Sequence, residues 1–339
     1  MKKSLIALAA LAATGAVFAQ STVTLSGIVD VGIEKRFSGD PTKMTSSRSS
    51  TSNWTLAGTE DLGGGLKAVF QISTAFNVDD GTTAGNVLGN NGMFVGLTGG
   101  FGTVRAGRPV NTLYGNALLA NGTKGVSLHD ANTVLGGSST ALAKTGGASN
   151  SVYVPNALQY HSPRFGGVQV QLEWAPSEQT IGTAGTPPVT TSAKNDGLGL
   201  AVRYDGGPIS ASLTSYKGAS AAGATAENKA VTQIAAAYDF GVAKAFFTYR
   251  DQSGMTSDAD TAYALGVTAP VGPGSLYASY NVNEQVGTDG RTVIAGYKYS
   301  LSKRTTAYVN IANRNSAWLT AAVKNSSTSG FGFGLQHNF

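Results

Sequence analysis

The 339-residue chain has no cysteine, only three histidines and only four methionines. Without thiols there is no disulfide framework, no cysteine-zinc site and no thiol catalysis, and the chain can cross an oxidising compartment without mispairing. His129, His161 and His337 lie in separate segments, so neither a metal-binding cluster nor a local base and nucleophile pair is on offer. Charged residues are sparse, at 13%, while glycine is abundant, with 45 residues, and 41% of the chain is hydrophobic. That composition excludes both a disordered chain and a helical bundle. No run of 18 or more apolar residues follows residue 19, so a spanning helix is excluded and any membrane role must use strands.

The first 19 residues read MKKSLIALAALAATGAVFA, a basic start at Lys2 and Lys3, an apolar stretch from Leu5, and small residues Val17 and Ala19 framing Phe18. This is the pattern of a secretory signal peptide, too short in its apolar core to cross a bilayer comfortably. The expected organisation is therefore a leader over residues 1–19 and a single domain over 20–339. Cleavage removes two lysines from a formal charge of +5, so the sequence pI of about 9.2 overstates any case for nucleic acid as a partner.

The dominant signal beyond the leader is period-2 alternation. In VTLSGIVDVGI, Val23, Leu25, Val29, Val31 and Ile33 share one parity, while Thr24, Ser26, Asp30 and Glu34 share the other. The pattern recurs at Leu66 to Ser73, Val168 to Trp174, Leu198 to Tyr204 and Phe331 to Phe339. Sixteen strands are expected, near 21–36, 51–61, 65–78, 90–99, 101–109, 153–163, 166–176, 195–206, 207–218, 228–240, 241–251, 259–270, 273–283, 290–300, 303–314 and 328–339.

The connections between them alternate in kind. Tight turns such as EDLGGG (Glu60 to Gly65), GGFG (Gly99 to Gly102), SPRFGG (Ser162 to Gly167) and DGGP (Asp205 to Pro208) follow even strands, and longer polar stretches such as 37–50, 176–196 and 313–329 follow most odd ones. An even strand number, short turns at one end and long loops at the other match an outer-membrane barrel, with its apolar face toward lipid and a polar interior. Closure also satisfies every backbone hydrogen bond inside hydrocarbon. The soluble alternative is a secreted β-sandwich or β-helix with the apolar face internal. Against it stand aromatics near strand ends, among them Trp174, Tyr204, Tyr238, Phe240, Tyr249, Tyr297 and Tyr299, where an interfacial girdle would lie. The expected fold is all-β, a closed 16-stranded antiparallel transmembrane β-barrel.

Several segments carry a family likeness: VTLSGIVDVGIE, GTEDLGGGLKAVFQ, VGLTGGFGTVRAGRP, LQYHSPRFGGVQVQ, AYDFGVAKAF, YKYSLSKRTTAY and the ending FGFGLQHNF. In this combination and order the chain resembles the trimeric general porins of Gram-negative bacteria, particularly those of β-proteobacteria. The resemblance implies a homotrimer in the outer membrane, in contact with lipid and lipopolysaccharide, passing ions and small hydrophilic solutes without a cofactor. It also implies that Phe339 is the signal read by the barrel assembly machinery.

The stretch from Val110 to Ser151, about 42 residues without a sustained strand pattern, is long enough to be functional. By the resemblance it is the third loop, folded into the lumen to narrow it, with Lys124, Asp130 and Lys144 as its charges and His129 beside them. A sixteen-stranded lumen holds water, so inward charges bias which ions pass. Parity makes Arg36, Lys67, Arg105, Arg203, Lys244 and Lys298 the inward bases and Asp30, Glu34, Glu173 and Asp239 the inward acids, a slight positive balance that favours anions. Arg105 is the leading candidate for a constriction charge, and Arg108 stands at the loop root, where parity gives no direction. The second strand of related porins often carries inward basic residues; here Asn53 and Ala57 occupy those positions.

An enzyme is not expected. GGFG and GLGL are strand and turn glycines with no helix following for a phosphate to cap. The competing functions are a substrate-selective channel for phosphate, a dicarboxylate or a sugar and, more remotely, a barrel-based enzyme or adhesin.

Overall fold

The computed structural model describes residues 21–35, 41–83, 88–117, 152–176, 179–181, 190–192, 196–218, 230–251, 259–285, 290–315 and 329–339. The leader, Arg36, Lys124, Asp130 and most of the expected third loop lie outside the described residues. In chain order the strands are β1 (Thr22–Lys35), β2 (Lys43–Ser46), β3 (Asn53–Gly63), β4 (Leu66–Ala75), β5 (Met93–Gly99), β6 (Gly102–Arg108), β7 (Ala157–His161), β8 (Val168–Ala175), β9 (Gln179–Ile181) and β10 (Thr190–Ser192). They continue with β11 (Gly197–Gly206), β12 (Ile209–Lys217), β13 (Val231–Asp239), β14 (Lys244–Asp251), β15 (Ala259–Val271), β16 (Gly274–Gln285), β17 (Gly290–Ser300), β18 (Thr305–Arg314) and β19 (Ser329–Asn338). Among the described residues one helix, α1 (Thr112–Ala117), follows β6.

Seventeen strands form one sheet, and β1 closes it by pairing with β19 from Ile28↔Asn338 to Lys35↔Phe331. On its other side β1 pairs with β3 from Thr22↔Thr59 to Ile28↔Asn53, and with β2 from Val31↔Ser46 to Glu34↔Lys43. β2 and β3 are thus two halves of one stave, interrupted between Ser47 and Ser52, and the barrel has the 16 antiparallel staves expected. Each expected strand is present within a few residues of its place; 207–218, for example, appears as Ile209–Lys217. Four elements had no signal. β2 and the β9–β10 hairpin are three or four residues long, too short to display a period, and lie in stretches expected as loops. The six-residue α1 likewise falls in a stretch expected only as loop.

The broken stave is organised by Asp30. The Ser49 and Ser50 amides donate to its Oδ2 at 2.6 Å each, the Arg48 amide and the Tyr308 hydroxyl donate to Oδ1 at 3.3 and 2.7 Å, and the Ser47 amide donates to its backbone carbonyl at 2.9 Å. Ser47 takes φ +62°, a left-handed turn that drops the chain over the carboxylate. At the seam, the Gly27 and Phe339 backbones exchange hydrogen bonds of 3.1 and 3.0 Å, and the Phe339 ring covers Gly27 where any Cβ would collide with it.

The register carries the two faces around the whole barrel. Val23 (64%), Leu25 (61%), Val95 (62%), Leu198 (54%) and Ile311 (61%) are exposed on the outer face, whereas Asp30, Glu34, Gln233 and Asn281, on the inner one, are fully buried. An apolar belt of this extent is incompatible with water on the outside. Tyr204, Tyr238, Phe240, Tyr299 and Phe339 are exposed at the short-turn end, as an interfacial girdle requires.

Replacing Asp30 with Ala leaves three backbone amides and a tyrosine hydroxyl without their acceptor. The expected cost is about 3 kcal/mol, read as a lower urea midpoint for the folded, heat-modifiable gel band; an unchanged midpoint would contradict the clamp.

Candidate functional site

Directly paired residues on adjacent strands share a face, so the register identifies the lumen wall without further assumption. Across β5, β6, β7 and β8 the inward neighbours are Gly96, Arg105, Gln159 and Glu173, and β11 and β12 continue the row with Gly199 and Tyr216. Arg105 therefore faces the lumen. Gly96 offers it no side chain, and the guanidinium lies over the inward Phe94 ring, 5.1 Å from its centroid. Its Nε donates to Gln159 Oε1 at 2.7 Å, and His161 Nε2 lies 3.5 Å from Nη2. These partners are neutral amide, imidazole and aromatic groups.

Above Arg105 the chain turns inward. Val154 donates to the Pro109 carbonyl at 3.0 Å and Asn111 to that of Val152 at 2.8 Å, pinning the two ends of the long loop together. Asn111 Oδ1 accepts the Tyr114 amide at 2.6 Å, capping α1. Leu113, fully buried, packs with Val154 and with the inward Ala157, Ala175, Tyr216 and Val231. The root of the expected third loop is thus inside the barrel, seated on the wall made by β8, β11, β12 and β13.

Three polar ties fix the helix there. Glu173 Oε2 accepts the Thr112 amide at 2.8 Å, the Thr112 hydroxyl at 2.9 Å and Gln159 Nε2 at 2.7 Å. Asn116 Nδ2 donates to Gln171 Oε1 at 2.8 Å, and Gln233 Nε2 donates to the Leu113 carbonyl at 3.1 Å. The close seating requires Gly199, because a Cβ there would stand 3.1 Å from Glu173 Cβ and 3.2 Å from Thr112 Cβ. Behind Gln233 lies Arg250, fully buried, whose Nε and Nη2 donate to Gln233 Oε1 at 3.1 and 2.7 Å.

The remaining sequence candidates divide by the partners they make. Asp30 and Glu34 face inward but are fully buried, Asp30 under its hydrogen bonds and Glu34 beside Arg48 at 3.4 Å. Lys67, Arg203, Lys244 and Lys298 lie toward the short turns; Lys67 pairs in register with Asp61 and Lys244 with Asp239, while Arg203 Nη2 reaches Asp205 at 3.1 Å. Arg108 has the parity opposite to Arg105; its Nη1 donates to the Gly89 carbonyl at 3.0 Å and its guanidinium lies 5.6 Å from the Tyr153 ring centroid. Burial pushes the Tyr153 phenol up to about 12, opposed by Arg108, so it stays protonated and donates to Asn91 Oδ1 at 2.6 Å. Two cations of the wall were missed. Arg250 shares the parity of Lys244 and was legible from it, whereas Arg48 sits in the stave break, where parity is lost. Among the described residues no group of acids and histidines could hold a metal ion.

A closed barrel with an apolar outer belt, a polar lumen and an in-folded loop root agrees with the sequence pattern of the Gram-negative porins, which matches residues 5–317. The chain belongs to the Gram-negative porin family. Outer membrane porin protein 32 of Delftia acidovorans is 35% identical to it, and an outer membrane porin protein of Bordetella pertussis is 26% identical, each over the whole of both chains. Among solved structures, an anion-selective porin from Comamonas acidovorans aligns with a TM-score of 0.73 at 29% identity, over 94% of this chain and all of its own. The trimer form of OmpT from Vibrio cholerae, 13% identical with a TM-score of 0.65, covers 94% of this chain and 99% of its own and shares the fold. This porin is an outer-membrane protein whose barrel forms a water-filled channel for ions and small hydrophilic solutes.

Replacing Glu173 with Leu strands two donors of Thr112 and one of Gln159. With buried donors costing about 1–3 kcal/mol each when unpaired, α1 should detach from the wall. Single-channel records should then show a larger, noisier open current; a record matching the parent would mean that the tie does not hold the helix.

Proposed function

We propose that this porin is a general diffusion channel with a modest preference for anions, working as a homotrimer. The observation that carries the preference is an asymmetry in how the inward charges are used. Inward acids Asp30, Glu34 and Glu173 are 0%, 0% and 4% exposed and are engaged by wall and loop groups, whereas Arg105 contacts neutral partners and is only part-buried. Positive charge that is not tied into an ion pair, in a narrow channel between low-dielectric walls, raises local anion concentration. Lys67, Lys244 and Arg203 each stand beside an acid, Asp61, Asp239 and Asp205, which offsets their field and leaves them less influence on selection. The anion-selective relative from Comamonas supports the same sign.

In this reading Arg36, Lys124 and Asp130, outside the described residues, are pore-lining charges, and Arg108 braces the loop root. Residues 1–19 are a leader removed near Ala19. Phe339 is the terminal aromatic that the barrel assembly machinery recognises, and the apolar belt meets phospholipid on one side and lipopolysaccharide on the other. The channel carries out no chemical reaction and needs no cofactor.

Planar-bilayer recording in a salt gradient tests the preference: the parent should reverse on the chloride side, and Arg105→Glu should move the reversal potential toward potassium, changing the permeability ratio by about twofold or more. A parent that favours potassium, or an Arg105→Glu channel that reverses where the parent does, would overturn it. Phosphate, dicarboxylates and sugars at low concentration should leave the current unblocked; block by one of them would make the pore substrate-selective.

A further inference from the structure

Arg105 and Glu173 stand on strands two spacings apart, about 10 Å, with Gln159 between them on the same face. An arginine side chain can span most of that gap, and a direct guanidinium–carboxylate pair is the stronger contact. The pair is not made. Gln159, 1% exposed, fills the interval with an amide whose groups are all occupied. Its Oε1 accepts Arg105 Nε at 2.7 Å, and its Nε2 donates to Glu173 Oε2 at 2.7 Å and to the Val110 carbonyl at 2.7 Å. The orientation is fixed: a flipped amide would set N–H against guanidinium N–H, and oxygen against a carboxylate and a carbonyl.

We infer that Gln159 is a specificity-determining spacer, which keeps the Glu173 charge on the constriction helix and the Arg105 charge in the lumen. The inference rests on Arg105 being a selecting charge, as proposed above. Glu173 is needed close to the lumen because it holds Thr112, yet an acid so near would cancel the Arg105 cation on the same row of the wall. A neutral side chain with a donor at one end and an acceptor at the other satisfies both neighbours and separates them. An apolar residue of the same length would do neither: Val110 and Glu173 would each lose a donor, and Arg105 would be released to move onto Glu173.

The test is bilayer recording of the folded, full-length barrel in a potassium chloride gradient. Gln159→Met should lower the chloride-to-potassium permeability ratio by about twofold or more, approaching Arg105→Gln. Adding Glu173→Gln to Gln159→Met should restore the ratio, because the acid that captured Arg105 is gone, and Gln159→Met should change nothing further in the Arg105→Gln channel. A purely structural role would alter assembly or conductance without this rescue. If Arg105→Gln shifts the reversal potential while Gln159→Met does not, the spacer role is overturned and the reading of Arg105 stands. If Arg105→Gln itself has no effect, both are overturned. Should Gln159→Met fail to yield heat-modifiable barrels, Gln159→Asn, whose amide is too short to reach both neighbours, serves with the same expected direction, and an unshifted potential there overturns the proposal equally.

Discussion

Inside hydrocarbon every peptide group must find its partner within the protein, and a sheet can meet that demand only by leaving no edge. The fourteen residues of β1 carry the final step. One side pairs with β3 and then β2, and the other pairs with β19, so the first strand holds both its sequence neighbour and the end of the chain. Alternation then follows: once the sheet is closed, each residue points either to lipid or to water, and the belt of exposed valines, leucines and isoleucines has acyl chains for its solvent.

A lumen filled with water relaxes packing but not electrostatics. The acids Asp30, Glu34 and Glu173, which parity sends inward, do not stand in the channel as bare charges. Asp30 shapes the broken stave, Glu34 lies against Arg48, and Glu173 seats the helix that enters the lumen. Buried anions are tolerated where several donors converge on them, and each here stabilises a segment of irregular backbone. The cations are divided too: Arg250 is buried behind Gln233, and Arg203 is held by Asp205. Arg105 stays part-buried in the lumen wall among neutral hydrogen-bonding partners.

The sequence made most of the barrel legible because a half-lipid, half-water strand repeats every second residue for its whole length. Leu198 to Tyr204 and Phe331 to Leu335 could be oriented as well as located, and the inward direction of Arg105, Glu173 and Asp30 followed from the same rule. What alternation could not give was burial. Asp30 and Glu173 read like exposed pore charges because their covering groups, Ser49, Tyr308 and Thr112, come from segments remote in sequence or lacking a period. Arg48 escaped for the same reason, since a left-handed residue at Ser47 resets the parity between β2 and β3. Arg108 marks the other limit, a strand end where the chain turns and the guanidinium finds Gly89 and Tyr153.

The clamp around Asp30 also orders events in time. Tyr308, which donates to Asp30, lies 278 residues away, and Gln336, which accepts from Ser49, lies 287 residues from it. Contacts so distant along the chain form late and slow the search for the native state. The amino-terminal stave therefore reaches its final shape only when the last hairpin, β18 and β19, arrives beside it. A nascent polypeptide halted before Tyr308 would carry an unfinished beginning as well as a missing end, and closure would proof-read both termini in one step.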